Sequence, residues 1–107
     1  MEEKLFKELT RKERMDEMLV HVNQMLRRIH PNRGLVVNYL KMTDNDLESF
    51  SDWDRKRFVL HTGLEYFIVT EWEPGATRAY VLYVVDVSAD SELTAMDELF
   101  HLLSHKF

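Results

Sequence analysis

From Met15 to Ile29 the apolar residues fall at Met15, Met18, Leu19, Val22, Met25, Leu26 and Ile29. This is the three-and-four spacing that gathers side chains on one face of a helix. Arg27, Arg28 and His30 suit the negative end of a helix dipole, and Pro31 followed by Asn-Arg-Gly34 predicts that the helix stops there. At its start, Thr10-Arg-Lys-Glu13 reads as a capping box. Leu5, Phe6 and Leu9 lie about 100° or more round from the stripe, which predicts a bend near Thr10 or a short separate first helix.

The pattern then changes period. Leu35 to Met42 is rich in β-branched and aromatic residues and predicts a first strand. Leu64 to Glu73 and Arg78 to Ser88 have the same character and flank Pro74-Gly75-Ala76-Thr77, so they predict a hairpin. After it, Asp90 or Ser91 can cap a last helix whose stripe is Leu93, Met96, Leu99, Phe100, Leu103 and Phe107. Leu102 falls opposite that stripe, where it would be exposed. The fold class predicted is α+β: a three-stranded, mainly antiparallel sheet packed with a long N-terminal helix and a C-terminal helix. The order is α-β-(α)-β-β-α. The hairpin strands are apolar on both faces, so either the helices divide between the faces or a second chain covers one of them. Self-association as a homodimer is therefore an expectation.

Between the first strand and the hairpin, Thr43 to Asp54 holds Asp44, Asp46, Glu48, Asp52 and Asp54. A calcium loop beginning at Asp44 would need Gly at its sixth position and Glu at its twelfth, and the chain has Ser49 and Arg55 there. Two helix starts explain the acids better, because Thr43-Asp-Asn-Asp46 and Ser51-Asp-Trp-Asp54 place carboxylates in first turns. Gly63 is then the expected stop, with Phe58 to His61 either ending a helix or forming another strand. Trp53, set between Asp52 and Asp54, is not explained by capping.

Length and composition make one domain over residues 1–107 the simplest organisation, since 107 residues with 45% hydrophobic and 31% charged content can support a single core. Lack of Cys removes disulfides and thiol chemistry and fits a reducing compartment, with the cytoplasm as default. No apolar run reaches the roughly 18 to 20 residues of a membrane helix, and the charged N-terminus does not resemble a signal peptide, so a soluble protein is expected. The formal net charge of −5 is unevenly spread: residues 1–57 carry net +1 and residues 58–107 net −6. An acidic second half repels phosphate backbones and favours basic partners, so direct nucleic-acid binding is disfavoured.

Catalytic patterns are absent: there is no G-x-S-x-G, no H-E-x-x-H and no phosphate-cradling loop among three Gly. Arg27, Arg28 and Arg33 could hold a phosphate, but read more simply as charges near a helix end. Asp97, His101 and His105 repeat at four-residue spacing on the last helix, a spacing zinc accepts, yet no third strong ligand is located. No cofactor and no metal are assigned. Glu71 and Glu73 lie two apart on a strand, about 6.7 Å, near the phosphate repeat of DNA. Phe67 and Val69 interrupt any longer ladder. The chain is read as a small acidic, non-enzymatic module, an adaptor, inhibitor or chaperone-like protein, that binds a protein with a basic surface. The residues assigned to that contact are Asp44, Asp46, Glu48, Asp52, Trp53, Glu71, Trp72, Glu73 and Leu102. Alternatives are a DNA-mimicking inhibitor and a metal site on the helical His residues.

Overall fold

The computed structural model describes residues 9–75 and 77–107. Along these the elements are α1 (Arg11–Ile29), β1 (Gly34–Lys41), α2 (Asp44–Ser49), α3 (Asp52–Phe58), β2 (Glu65–Trp72), β3 (Ala79–Asp86) and α4 (Glu92–Lys106). The strands form one antiparallel sheet in the order β1-β2-β3, with β2 central. This is the α+β arrangement that the sequence predicts, with the link between β1 and β2 resolved into two short helices. Any helix before Thr10 lies outside the described residues.

Local chemistry sets the boundaries. In α1 the Thr10 hydroxyl accepts from the Glu13 amide, and the Glu13 carboxylate accepts from the Thr10 amide. Thr43 and Asp46 repeat that box for α2, and Ser51 and Ser91 cap α3 and α4. Gly34 opens β1 because a Cβ there would sit 2.4 Å from the carbonyl oxygen of Trp72, its cross-strand partner. One expected boundary moves. The helix over 52–58 does not run on to Gly63 but ends at Val59, which adopts the left-handed conformation at φ 52°. Phe58 thus closes a helix, and Leu60 and His61 belong to no further strand.

The two faces of the sheet carry separate cores. Leu35, Val37, Tyr39, Phe67, Val69 and Val87 face α1 and α4, whose Met15, Leu19, Val22, Ala95 and Leu99 are buried against them. On the other face Tyr66, Ile68 and Val81 pack with Met42, Leu60, Leu47, Phe50 and Phe58 from the α2–α3 segment. The two long helices do not divide between the faces: α1 and α4 share one, and the 42–60 link, with α2 and α3, covers the other.

The rotation of α4 also differs from expectation. Ala95 and Leu99 are fully buried and Leu102 is half-buried against the core, whereas Leu93 and Phe100 are 76% and 42% exposed. The buried face is turned by roughly 60° from the predicted stripe. Ala95, too small to register as a core residue in the pattern, is fully buried on the face of α4 that meets the core.

At Val37 the outer edge of β1 is met by α1. Asn23 donates from Nδ2 to the Val37 carbonyl at 2.9 Å and accepts the Val37 amide at 2.8 Å, supplying what a fourth strand would. Asn23→Ala leaves both groups without that partner and should cost about 1–3 kcal/mol. Thermal unfolding by circular dichroism should show it, with exposed Asn38→Ala staying within about 0.5 kcal/mol of wild type; equal midpoints for the two variants would mean that water replaces Asn23 at no cost. Conversely, a β-branched residue held at positive φ costs roughly 1–2 kcal/mol, and Val59 is 63% exposed. Val59→Gly should therefore raise the unfolding midpoint, by up to about 1 kcal/mol after the chain-entropy cost of Gly; a lowered midpoint would show that the valine side chain packs more than its exposure implies.

Candidate functional site

Helices α1 and α4 run parallel across one face of the sheet, and their two ends are tied while their middles are not. At the N-terminal end Arg14 Nε donates to Glu92 at 2.7 Å, and Arg11 reaches Glu65 at 3.2 Å and the Val87 carbonyl at 2.7 Å. Glu65 also accepts the Tyr39 hydroxyl, so one half-buried network joins α1, β1, β2 and α4. At the C-terminal end the Phe107 ring meets Tyr83 edge-on at 5.8 Å and His30 at 6.2 Å, with the Arg33 guanidinium 4.9 Å away.

Between these ties lies an apolar groove of about 420 Å³. The stripe of α1 is wider than the column that meets the sheet: Met15, Leu19, Val22 and Leu26 are buried, while Met18 and Met25 stand roughly 60–80° to one side. They form one wall. Leu93, Met96 and Phe100 of α4 form the other, and His21 and Asp97 are the polar residues at the groove. Methionine is unbranched and polarizable, so such walls adapt to the shape of an occupant.

A second hollow, of about 750 Å³, opens where α2 and α3 meet the start of β3. Phe50, Trp53, Tyr80, Arg57 and Arg78 line it. Trp53 points outward, 62% exposed, with the Arg57 guanidinium 4.8 Å from its ring.

The residues assigned from sequence are not brought to one place. Asp46 is occupied by the Thr43 cap at 2.9 and 2.8 Å, Asp52 is paired with Arg55, and Asp44 accepts from Thr62 at 3.0 Å. Glu48 is exposed beside Trp53's helix. Glu71 lies on the opposite face of the sheet from that hollow and is held by both arms of Arg33, at 2.7 and 2.9 Å. That bond, outweighing the burial that opposes it, keeps the Glu71 carboxyl below its ordinary range. The Glu71 carboxylate is thus paired with a cation of its own chain and does not present a free phosphate-like charge beside Glu73. Trp72 is 43% exposed at the end of β2 and Glu73 is exposed just past it. Leu102 is a core contact and not the surface anchor expected of it.

The rings of His101 and His105 lie 4.1 Å apart, with His105 Nδ1 directed at the His101 carbonyl. Among the described residues no group of three or more His, Asp or Glu is placed to hold a metal ion. None of the described helices is long and apolar enough to cross a membrane. Comparison with protein-family models, with curated proteins and with solved structures found no match.

Met18, Met25, Leu93 and Phe100 belong to the apolar stripes that the sequence pattern shows. Their signal was the excess width of the two stripes, which a sheet face one column wide cannot absorb. The Arg11–Glu65–Tyr39 network carried no signal, since its members lie up to 54 positions apart.

Burial, followed by the Glu65 hydrogen bond, raises the Tyr39 hydroxyl from 10.0 to about 12. Because the folded value exceeds the unfolded one, this contribution to stability is whole below pH 10 and is lost as pH rises toward 12. Thermal midpoints between pH 9 and about 12 should fall less steeply in Tyr39→Phe than in wild type; parallel profiles would mean that Tyr39 ionises as freely in the folded chain as in the unfolded one.

Proposed function

We propose that the protein is a non-enzymatic protein-binding module that takes an amphipathic helix of another protein into the groove between α1 and α4. The observation that supports it is the apolar groove itself, with Leu93 76% and Phe100 42% exposed at a place where none of the described residues covers them. Asp97 at the groove, and Glu17 on the exposed side of α1, favour a helix whose polar flank is basic. The acidic net charge of the chain would steer such a partner toward it. Adaptor, inhibitor and chaperone-like roles all use a contact of this kind.

Affinity capture from host lysate with three forms of the chain tests this reading: wild type, Leu93→Ser with Phe100→Ser, and Trp53→Ala. A stoichiometric partner held by wild type and Trp53→Ala, weakened by salt and lost from the double variant, is the expected result. A partner lost from Trp53→Ala alone would move the site to the hollow beside α3. Retention by all three forms, or no stoichiometric partner at all, would remove the groove from the account.

A further inference from the structure

The two edges of the sheet are treated differently. On β1 the exposed backbone at Val37 is taken by Asn23. On β3 no side chain or helix of the described residues hydrogen-bonds to the outer backbone. The Val87 amide donates to Glu65 at 2.9 Å, so residues 87, 85 and 83 direct their backbone groups toward β2. Alternation then leaves the N–H and C=O of Val84 and Asp86 on the open side. A bulge sets Leu82 between the pairs Val69–Tyr83 and Thr70–Val81, which resets the phase so that Val81 and Ala79 also face outward.

Nothing in the composition of this edge guards it. From Ala79 to Val85 the strand has no charge and no Pro, and Leu82, Tyr83, Val84 and Val85 are each only half-buried. Its charges stand at the two ends, and they are opposite. Arg78 precedes the strand and has no ion pair among the described residues. Asp86 ends it, and Asp90 and Glu98 lie near. No cation of the described residues pairs with these three carboxylates. Glu98 is pushed above its ordinary range, first by burial and then by the charges of Asp90 and Asp86.

We infer that β3 pairs antiparallel with β3 of a second copy of this chain, joining two sheets into one of six strands, with Arg78 of each chain set against Asp86 and its neighbouring carboxylates on the other. A twofold axis placing Val84 opposite the second copy's Val81 matches outward backbone groups on both sides of the bulge. In that register Asp86 falls opposite Ala79 of the other copy, one residue from Arg78. An antiparallel pairing of unlike ends also selects a second copy over an arbitrary strand, since one chain supplies both the cation and the anions. The residues of this edge are separate from those lining the groove, so the dimer stands or falls apart from the helix-binding reading.

Light scattering after size exclusion, with sedimentation over a concentration series, should give wild type a mass twice the 12.8 kDa of the chain. Arg78→Glu is exposed and unpaired, so it should keep its circular dichroism while raising the dimer dissociation constant at least about tenfold. Val84→Pro removes an outward amide that an edge strand can do without and should yield a folded monomer. Hydrogen exchange at the Val84 amide should slow as wild-type concentration rises, which decides the matter if the proline variant fails to fold. A monomer at about 100 μM, a dimer indifferent to Arg78→Glu, or a Val84 amide whose exchange ignores concentration would each overturn the inference.

Discussion

The central strand sets the terms for everything around it. Tyr66, Phe67, Ile68 and Val69 are four consecutive buried residues on β2, and successive side chains of a strand point to opposite faces. The sheet must therefore be covered twice. With α1 and α4 both on the face of Phe67 and Val69, the cover for Tyr66 and Ile68 among the described residues comes from the 42–60 link. Short and polar as it is, that link supplies Met42, Leu47, Phe50, Phe58 and Leu60 by folding into two capped helices. The abundance of carboxylates in it follows from this, because each short helix needs its first-turn donors satisfied.

Putting both long helices on one face has a consequence for the surface. Each must send one column of its apolar stripe to the sheet, and each stripe is wider than one column. The Arg11–Glu65 and Arg14–Glu92 pairs at one end, and the contacts of Phe107 with Tyr83 and His30 at the other, tie the helices to the strands and to each other at their ends. A middle held by neither end stays open, and the surplus of both stripes faces it. The groove is thus what remains when two wide stripes are laid on a narrow sheet. Among the described residues the polar groups at this groove are His21 and Asp97.

Most of the architecture was legible before the fold was known. Capping residues Thr10, Thr43, Ser51 and Ser91 all stand where the pattern places helix starts, and the three strands differ from expectation by a residue or two at their ends. The failures are informative. Gly63 looked like the helix stop, but Val59 takes the left-handed position, because Leu60 is drawn into the second core and the chain must turn before it. Leu102 looked like a surface anchor because bulk alone was counted. With Ala95 included, the buried face of α4 turns toward it and away from Leu93 and Phe100. The acidic residues were legible as helix-start chemistry, yet their grouping as a partner site was not supported by position: Glu71 and the α2–α3 acids lie on opposite faces of the sheet.

What the sequence by itself determined is everything that acts within a few residues: period, caps, turns, strand character and the absence of thiol chemistry. These are set by backbone geometry and by hydrogen bonds between near neighbours, which a linear pattern records. Only the tertiary structure decided which face each helix covers, which columns of its stripe remain over, and which carboxylates meet an arginine. Those outcomes depend on contacts between residues far apart in the chain, such as Arg11 with Glu65, Asn23 with Val37 and Arg33 with Glu71. Their formation follows from packing two wide stripes and a two-faced sheet into one volume, and no local pattern carries that information.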